Sequence, residues 1–422
     1  MNSTRRALII FHDDSSLAVA RGFADLIAAQ GWHPEFLLYC NPLMGPPDLS
    51  PRQLAHGLGP YPLAHRRTGL EAADPTFLAG FALVASAKYP VLFRRLWRWR
   101  AWCFDGPRPC FLGLFPGLEL KRASGWRIRR YADVLCCVSR SDVAAYRAFA
   151  PPGRPAHQRV LRLHPALMRR APAAARPWTD PPQVATFFTQ SVVPETLAGR
   201  RAVLATLVEA ARANPETCVT LKLRHRRDEN RRHTHVERWS YETLLAEVAA
   251  PPPNFRVSDA PMADALAETD LAITCSSTAG AEAAAAGTPT LFLLDYPDAE
   301  REPTAASMRA LLAGSGLTAD RAAVVALDRR RPAAAWAEDV FSTPADLQAA
   351  LAAVDAFHAA PVTATRRAAR FGARVARAAI ALDVAFGRRL RGTVLSLRAA
   401  APPQGGQREN AEDFRAGNPK LF

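Results

Sequence analysis

Ser276, Ser277 and Thr278 place three hydroxyls in succession where an apolar run, Leu271–Cys275, gives way to an alanine-rich stretch. If the run is a strand and the alanines a helix, the hydroxyls sit at a helix N-terminus. There the first backbone N–H groups are unpaired and the helix dipole presents about half a positive charge. Hydroxyls, free amides and small neighbours (Gly280 and the alanines) form an anion site of the kind phosphates use. Glu282, one turn further on, is placed to accept from ribose hydroxyls. The plainer reading is a helix cap, for which Ser and Thr are routine.

Three other polar junctions share this form. "TLKLRH" ends with Lys222, Arg224 and His225, a pair of cations and an imidazole that can offset phosphate charge. His233 and His235 follow, at a spacing that is not a metal signature, and a solvated charged loop is the alternative. "FFTQS" puts Thr189, Gln190 and Ser191 after another apolar run. "IIFHDDSS" puts Asp13 and Asp14 after the first one, where a carboxylate can act as general base toward a hydroxyl or simply cap a helix. Either aspartate fits the base role. Asp14 is the first choice and Asp13 its rival. The Pro116–Gly117 turn is a candidate lining element.

These junctions need a scaffold that gathers strand ends on one edge. The sequence predicts one. Strand-like runs at residues 6–12, "HPEFLLYCN", "PRPCFLGLFPGL", "ADVLCCVS" and "HQRVLRLHP" are interleaved with helical patterns. A Pro- and Ala-rich stretch, residues 168–182, breaks the alternation. A second strand–helix series follows, from "QVATFFTQS" to "TPTLFLLDYP". The expected class is α/β with two facing Rossmann-like domains. Their spans are residues 1–170 and 183–360. Residues 361–400 read as a basic helix that crosses back to the first domain or faces a membrane. They carry nine arginines against one acid, Asp383. Residues 401–422 read as a disordered tail.

The 422 residues suffice for two domains, and 49% hydrophobic content supports real cores. No apolar run reaches the roughly 18 residues a spanning helix needs. Seven cysteines occur with no CxxC pair, which argues against a disulfide or metal framework and for reduced thiols in a cytoplasmic protein. The formal charge of +15 attracts anionic partners. Trp97, Trp99 and Trp102 interleaved with Arg94, Arg95, Arg98 and Arg100 fit either a membrane-facing or a packed amphipathic helix.

Taken in order along the chain, these pieces resemble bacterial glycosyltransferases of the GT-B type. They are more distantly similar to capsule polysialyltransferases and Kdo transferases. The matching residues are Asp14–Ser15, Phe115–Pro116–Gly117, Ala132–Asp133 with Ser139, Gln190, Lys222–Leu223–Arg224, Glu229, His235 with Tyr241, and Ser276–Ser277–Thr278 with Glu282 and Gly287–Thr288–Pro289.

The resemblance implies sugar transfer from a nucleotide sugar without a metal or other cofactor, the nucleotide resting on the second domain. Catalytic candidates are Asp14, Asp13 and His225. Donor-binding candidates are Gln190, Lys222, Arg224, His235, Ser276, Ser277, Thr278 and Glu282. Polysialyltransferase-like enzymes hold CMP with a His-Pro or Lys-Pro stretch. Here Arg226 follows His225, which leaves CMP- and UDP-linked donors both open. The expected acceptor is an anionic cell-surface glycan or glycolipid, at the inner face of the cell membrane. Nucleic acid is not an expected partner. An epimerase of the same architecture and a non-enzymatic basic adaptor for anionic lipid or glycan are the alternatives.

Overall fold

The computed structural model describes residues 5–40, 49–68, 75–87, 108–118, 123–151, 156–169, 181–224 and 237–360. The tryptophan–arginine segment, His225, Arg226, Glu229, His233, His235 and everything after residue 360 lie outside them.

Two wholly parallel sheets organise the chain. The first has seven strands in the order β3-β2-β1-β4-β5-β6-β7. They are β1 (Arg6–Phe11), β2 (His33–Cys40), β3 (His65–Thr68), β4 (Leu83–Ser86), β5 (Cys110–Gly113), β6 (Val134–Cys137) and β7 (Arg159–Arg162). The second has six, in the order β10-β9-β8-β11-β12-β13. They are β8 (Val184–Phe188), β9 (Cys218–Lys222), β10 (Phe255–Ser258), β11 (Leu271–Thr274), β12 (Thr290–Leu293) and β13 (Thr318–Ala319). Strands covered on both faces read as continuous apolar runs rather than alternating ones. "ALIIF" in β1 is accordingly buried at every position.

Each sheet reverses its strand order once, between β1 and β4 in the first and between β8 and β11 in the second. Open α/β sheets bind ligands beyond the strand carboxyl ends at such switch points. The loops after β1, β8 and β11 carry Asp13–Asp14, Thr189–Gln190 and Ser276–Thr278.

The domains share apolar packing. Phe115, Val138 and Leu167 of the first half join the buried cluster built on β8, β9, β11 and β12. Backbone bonds from Arg169 to the Ser342 carbonyl (2.8 Å) and from Ser342 to the Leu167 carbonyl (3.0 Å) tie the halves along one edge.

The helix that returns to the first domain is Pro344–Ala359, within the stretch that the sequence assigns to the second domain. Leu347, Ala350, Leu351 and Val354 enter the cluster of Ala7, Ile9 and Leu112. Arg162 donates to Asp346 at the helix start. The chain thus already returns to the first domain before Pro361, and the basic helix expected over residues 361–400 lies outside the described residues. The apolar stripe of this helix is diluted by alanines, so its return to the first domain was not evident from the pattern. Cys110, Cys136, Cys137 and Cys275 are buried free thiols.

Candidate active site between the two sheets

The first wall of the site is the turn after β1. Asp13 is the N-cap of the helix Asp14–Ala28. Its Oδ1 accepts from the Ser16 amide (2.9 Å) and hydroxyl (2.8 Å), and the Ser16 hydroxyl accepts in return from the Asp13 amide (3.0 Å). With 4% exposure Asp13 is committed to the cap. Its neighbour Asp14 turns toward the second domain. Arg224 donates to its Oδ2 through Nε (3.0 Å) and Nη2, and Nη2 also reaches Ser15 Oγ (3.2 Å). The two aspartates thus divide the cap and the cleft between them.

The opposite wall is made by three strand ends. The Arg224 amide donates to Thr189 Oγ1 (3.1 Å), joining the β9 and β8 loops. Gln190 Oε1 then accepts from both the amide (2.8 Å) and the hydroxyl (2.7 Å) of Ser276 after β11. Ser277 caps the helix Thr278–Ala285, accepting from the Ala279 amide (3.2 Å). Thr278 is the first helical residue. A Cβ placed on Gly117 would lie 3.4 Å from Thr278 Oγ1. A continuous path of contacts therefore leaves the first domain at Asp14 and returns to it at Gly117.

The local sequence around that helix has a packing logic. A Cβ on Gly280 would stand 2.7 Å from Thr274 Cγ2 and 2.8 Å from Phe292. Glycine there lets the helix lie against β11 and β12. The expectation that Gly280 opens the backbone to a ligand is corrected, because it faces the sheet. Gly287 takes φ +88°. Its amide bonds the Ala284 carbonyl (3.1 Å) while the Thr288 amide bonds Ala283 (2.9 Å). This is the double bond of a Schellman terminator, which favours glycine at that place. The Gly287–Thr288–Pro289 pattern is thus a helix stop. Glu282 lies half-buried on the same helix.

Lys222, the last residue of β9, is 5% exposed, and its Nζ donates to the Leu223 carbonyl. Burial pulls its ammonium down from the ordinary lysine range to about 8, with Asp259 partly opposing. It holds its charge at neutral pH and loses it within a unit or two above.

Sequence reasoning missed Arg200. It is 1% exposed on the helix Leu197–Ala213. It donates to the carbonyls of Gln190 (2.9 Å), Ser191 (2.6 Å), Pro194 (2.9 Å) and Trp239 (2.8 Å), and pairs with Glu237. One buried cation so fixes the backbone that presents Gln190. Burial raises the Glu237 carboxyl, with Arg200 acting against that. The signal was present in the sequence. Arg200 is in phase with Val203, Leu204 and Leu207, all buried, so a charge stands on the apolar stripe of its helix.

The fold and this seam define a two-domain α/β enzyme in which a cation and a helix start of the second domain lie opposite a carboxylate on the first. The chain belongs to the family described as "Putative glycosyltransferase (DUF6716)", whose model matches residues 9–357. It is a glycosyltransferase built on two Rossmann-like domains. No curated protein matches it. Among solved structures it is similar to MurG of Acinetobacter baumannii (15% identity, 90% of this chain and 99% of that one, TM-score 0.39). It is also similar to SnogD of Streptomyces nogalater (15%, 83% and 100%, 0.43). A third is the UDP-GlcNAc 2-epimerase of Neisseria meningitidis bound to UDP-GlcNAc (11%, 84% and 100%, 0.49). The family and the chain's own geometry, not these distant structures, support its functional assignment.

Proposed function

We propose that the protein transfers a sugar from a CMP- or UDP-linked donor to a hydroxyl of a cell-surface glycan or glycolipid, using its own cations in place of a metal. The observation that carries this reading is the seam itself. The Arg224 cation, after β9, and the Thr278 helix start, after β11, flank the β8 loop of the second sheet, and Asp14 faces them from the first.

In the reaction the acceptor oxygen bonds to the anomeric carbon and its proton passes to Asp14. The bond from that carbon to the phosphate oxygen breaks, and its electron pair stays on the nucleotide. Lys222 and Arg224 take up the leaving group's charge, with the Thr278 amide and hydroxyl as donors at the helix N-terminus. Charges positioned in advance need no rearrangement as the bond breaks, which makes them effective there. The net charge of +15 favours an anionic acceptor or a membrane-borne one. Among the described residues no helix is long and apolar enough to cross a membrane.

A thermal-shift screen over CMP, UDP, GDP and ADP tests the reading. Stabilisation by one of them names the donor class, and product analysis with that nucleotide's sugars follows. Slow release of free sugar without acceptor is the transferase outcome. Return of an intact, isomerised nucleotide sugar would mean an epimerase. Salt-sensitive liposome binding with no nucleotide response would mean the adaptor and end the proposal.

A further inference from the structure

Arg224 has one guanidinium and two anions with a claim on it. Its Nε and Nη2 donate to Asp14 Oδ2, and Nη2 to Ser15 Oγ. Both partners of the ion pair are about three-quarters buried in the seam, with side-chain exposures of 27% and 23%. Yet sugar transfer needs the cation on a phosphate and the carboxylate on an acceptor hydroxyl. Held together as a pair, neither residue is disengaged for its task. The Arg224 amide is anchored independently on Thr189 Oγ1 (3.1 Å). Its guanidinium can therefore change partner while the backbone stays in place.

We propose that the Asp14–Arg224 pair is a latch that the donor's phosphate opens, so that the base is released only once the leaving group is bound. The inference rests on the glycosyltransferase reading and adds its order of events. The donor's phosphate offers oxygens that a guanidinium can engage by two parallel bonds, and a diphosphate adds a second charge, so it competes with a single carboxylate. Arg224 then moves to the leaving group and Asp14 loses the cation that occupied its lone pairs. The carboxylate becomes able to accept a proton when, and only when, there is a donor to attack. The acceptor is thus used second. Two domains held by an opposite-charge contact would also part or rearrange at this point on donor binding.

The latch makes nucleotide binding compete with an internal anion, and that is measurable without turnover. The full-length protein is titrated calorimetrically with UDP, CMP and GDP. The comparison is among wild type, Asp14→Asn, Arg224→Met and the double variant. Asp14→Asn removes the competitor, and the best nucleotide should bind roughly two- to fivefold more tightly, the range for a partly exposed ion pair. Arg224→Met should weaken binding. In the Arg224→Met background the asparagine should bring no gain, because no cation is left to release.

A gain from Asp14→Asn that persists without Arg224 would mean that the carboxylate merely repels phosphate, and the latch is wrong. Equal or weaker binding by Asp14→Asn also overturns it while leaving the nucleotide site standing. Absence of nucleotide binding by the folded wild type removes the transferase reading and the latch together. Asp14→Ser, which keeps a short polar side chain at the helix start, serves as the second variant should asparagine unfold the domain.

Discussion

Gln190 Oε1 accepts two hydrogen bonds from a single residue, the amide and the hydroxyl of Ser276, at 2.8 and 2.7 Å. The Ser276 proton is thereby spent inside the protein. Ser277 is occupied as an acceptor by its capping bond. Of three hydroxyls that look equivalent in the sequence, Thr278 is the one at the helix start with its hydroxyl turned to the opposite domain. Ser276→Ala should leave nucleotide affinity within about fivefold of wild type, since one neutral bond is worth roughly 1 kcal/mol. Thr278→Ala removes a bond to a charged phosphate and should cost roughly tenfold. Calorimetric titration ranks the two, and the reverse order would refute the assignment of donors.

The approach of Gly117 to Thr278 gives a second prediction, about space rather than charge. A Cβ at 117 lies 3.4 Å from the hydroxyl oxygen, at the edge of ordinary contact. Gly117→Ala should therefore be accommodated. Gly117→Val adds two methyls in the direction of the hydroxyl and should abolish nucleotide binding while the melting temperature stays within a few degrees. A valine variant with normal nucleotide affinity would show that the turn does not border the site.

Lys222 sets a pH dependence. Burial brings its ammonium to about 8 in the unliganded protein, and a bound phosphate favours the protonated form. Binding therefore takes up a proton once the pH passes 8, and affinity falls above it, by up to tenfold per unit. Lys222→Met should bind weakly at every pH and show a flat profile from 7 to 9. Stability moves the opposite way. The unfolded chain holds this proton up to about 10.5 and the native one only to about 8, so raising the pH between those values favours the native state. A wild-type affinity that does not change between pH 7.5 and 9.5 excludes Lys222 from contact with the nucleotide.

The fold was largely legible in the sequence because its strands are doubly covered. "ALIIF", "VLCC" and "LFL" are unbroken apolar runs, and the helices between them carry clear stops such as Gly31, at φ +79°. β3 was not legible. "HRRT" is an edge strand bonded only to β2 and is polar at every position. β4 was illegible for a different reason, since three apolar residues and a serine do not distinguish a strand from a buried helix turn. The strand-end junctions of the site could be found from the change of residue type alone. Which aspartate caps and which faces the cleft could not, since adjacent identical residues differ only in where the helix begins. The path of contacts from Asp14 to Gly117 joins residues more than two hundred positions apart and has no local signature. Arg200 left a trace, a charge on an apolar stripe, that only its partners explain.

His164 stands outside the proposed chemistry and gives the domain joint an acid response. It follows β7 and is fully buried; its amide donates to Ser342 Oγ at 2.8 Å, across the joint between the domains. Among the described residues neither ring nitrogen has a partner at good hydrogen-bond geometry. Burial lowers the imidazole to about 4, with the Phe115 backbone opposing. The native protein therefore keeps it neutral at a pH where the unfolded chain, near 6.5, binds a proton. Acid thus favours unfolding from about 6.5 downward, and the loss levels off below about 4. One pKa unit corresponds to about 1.4 kcal/mol, so roughly 2 kcal/mol should disappear between pH 6.5 and 5 from this residue alone. Carboxylates add their own acid dependence, which a variant separates. His164→Leu replaces two unsatisfied polar atoms with apolar ones of similar bulk and should be near neutral at pH 7. Its stability, read from urea midpoints, should fall less than that of wild type on going to pH 5. Parallel losses in the two proteins would mean that the imidazole is satisfied in solution and does not sense acid.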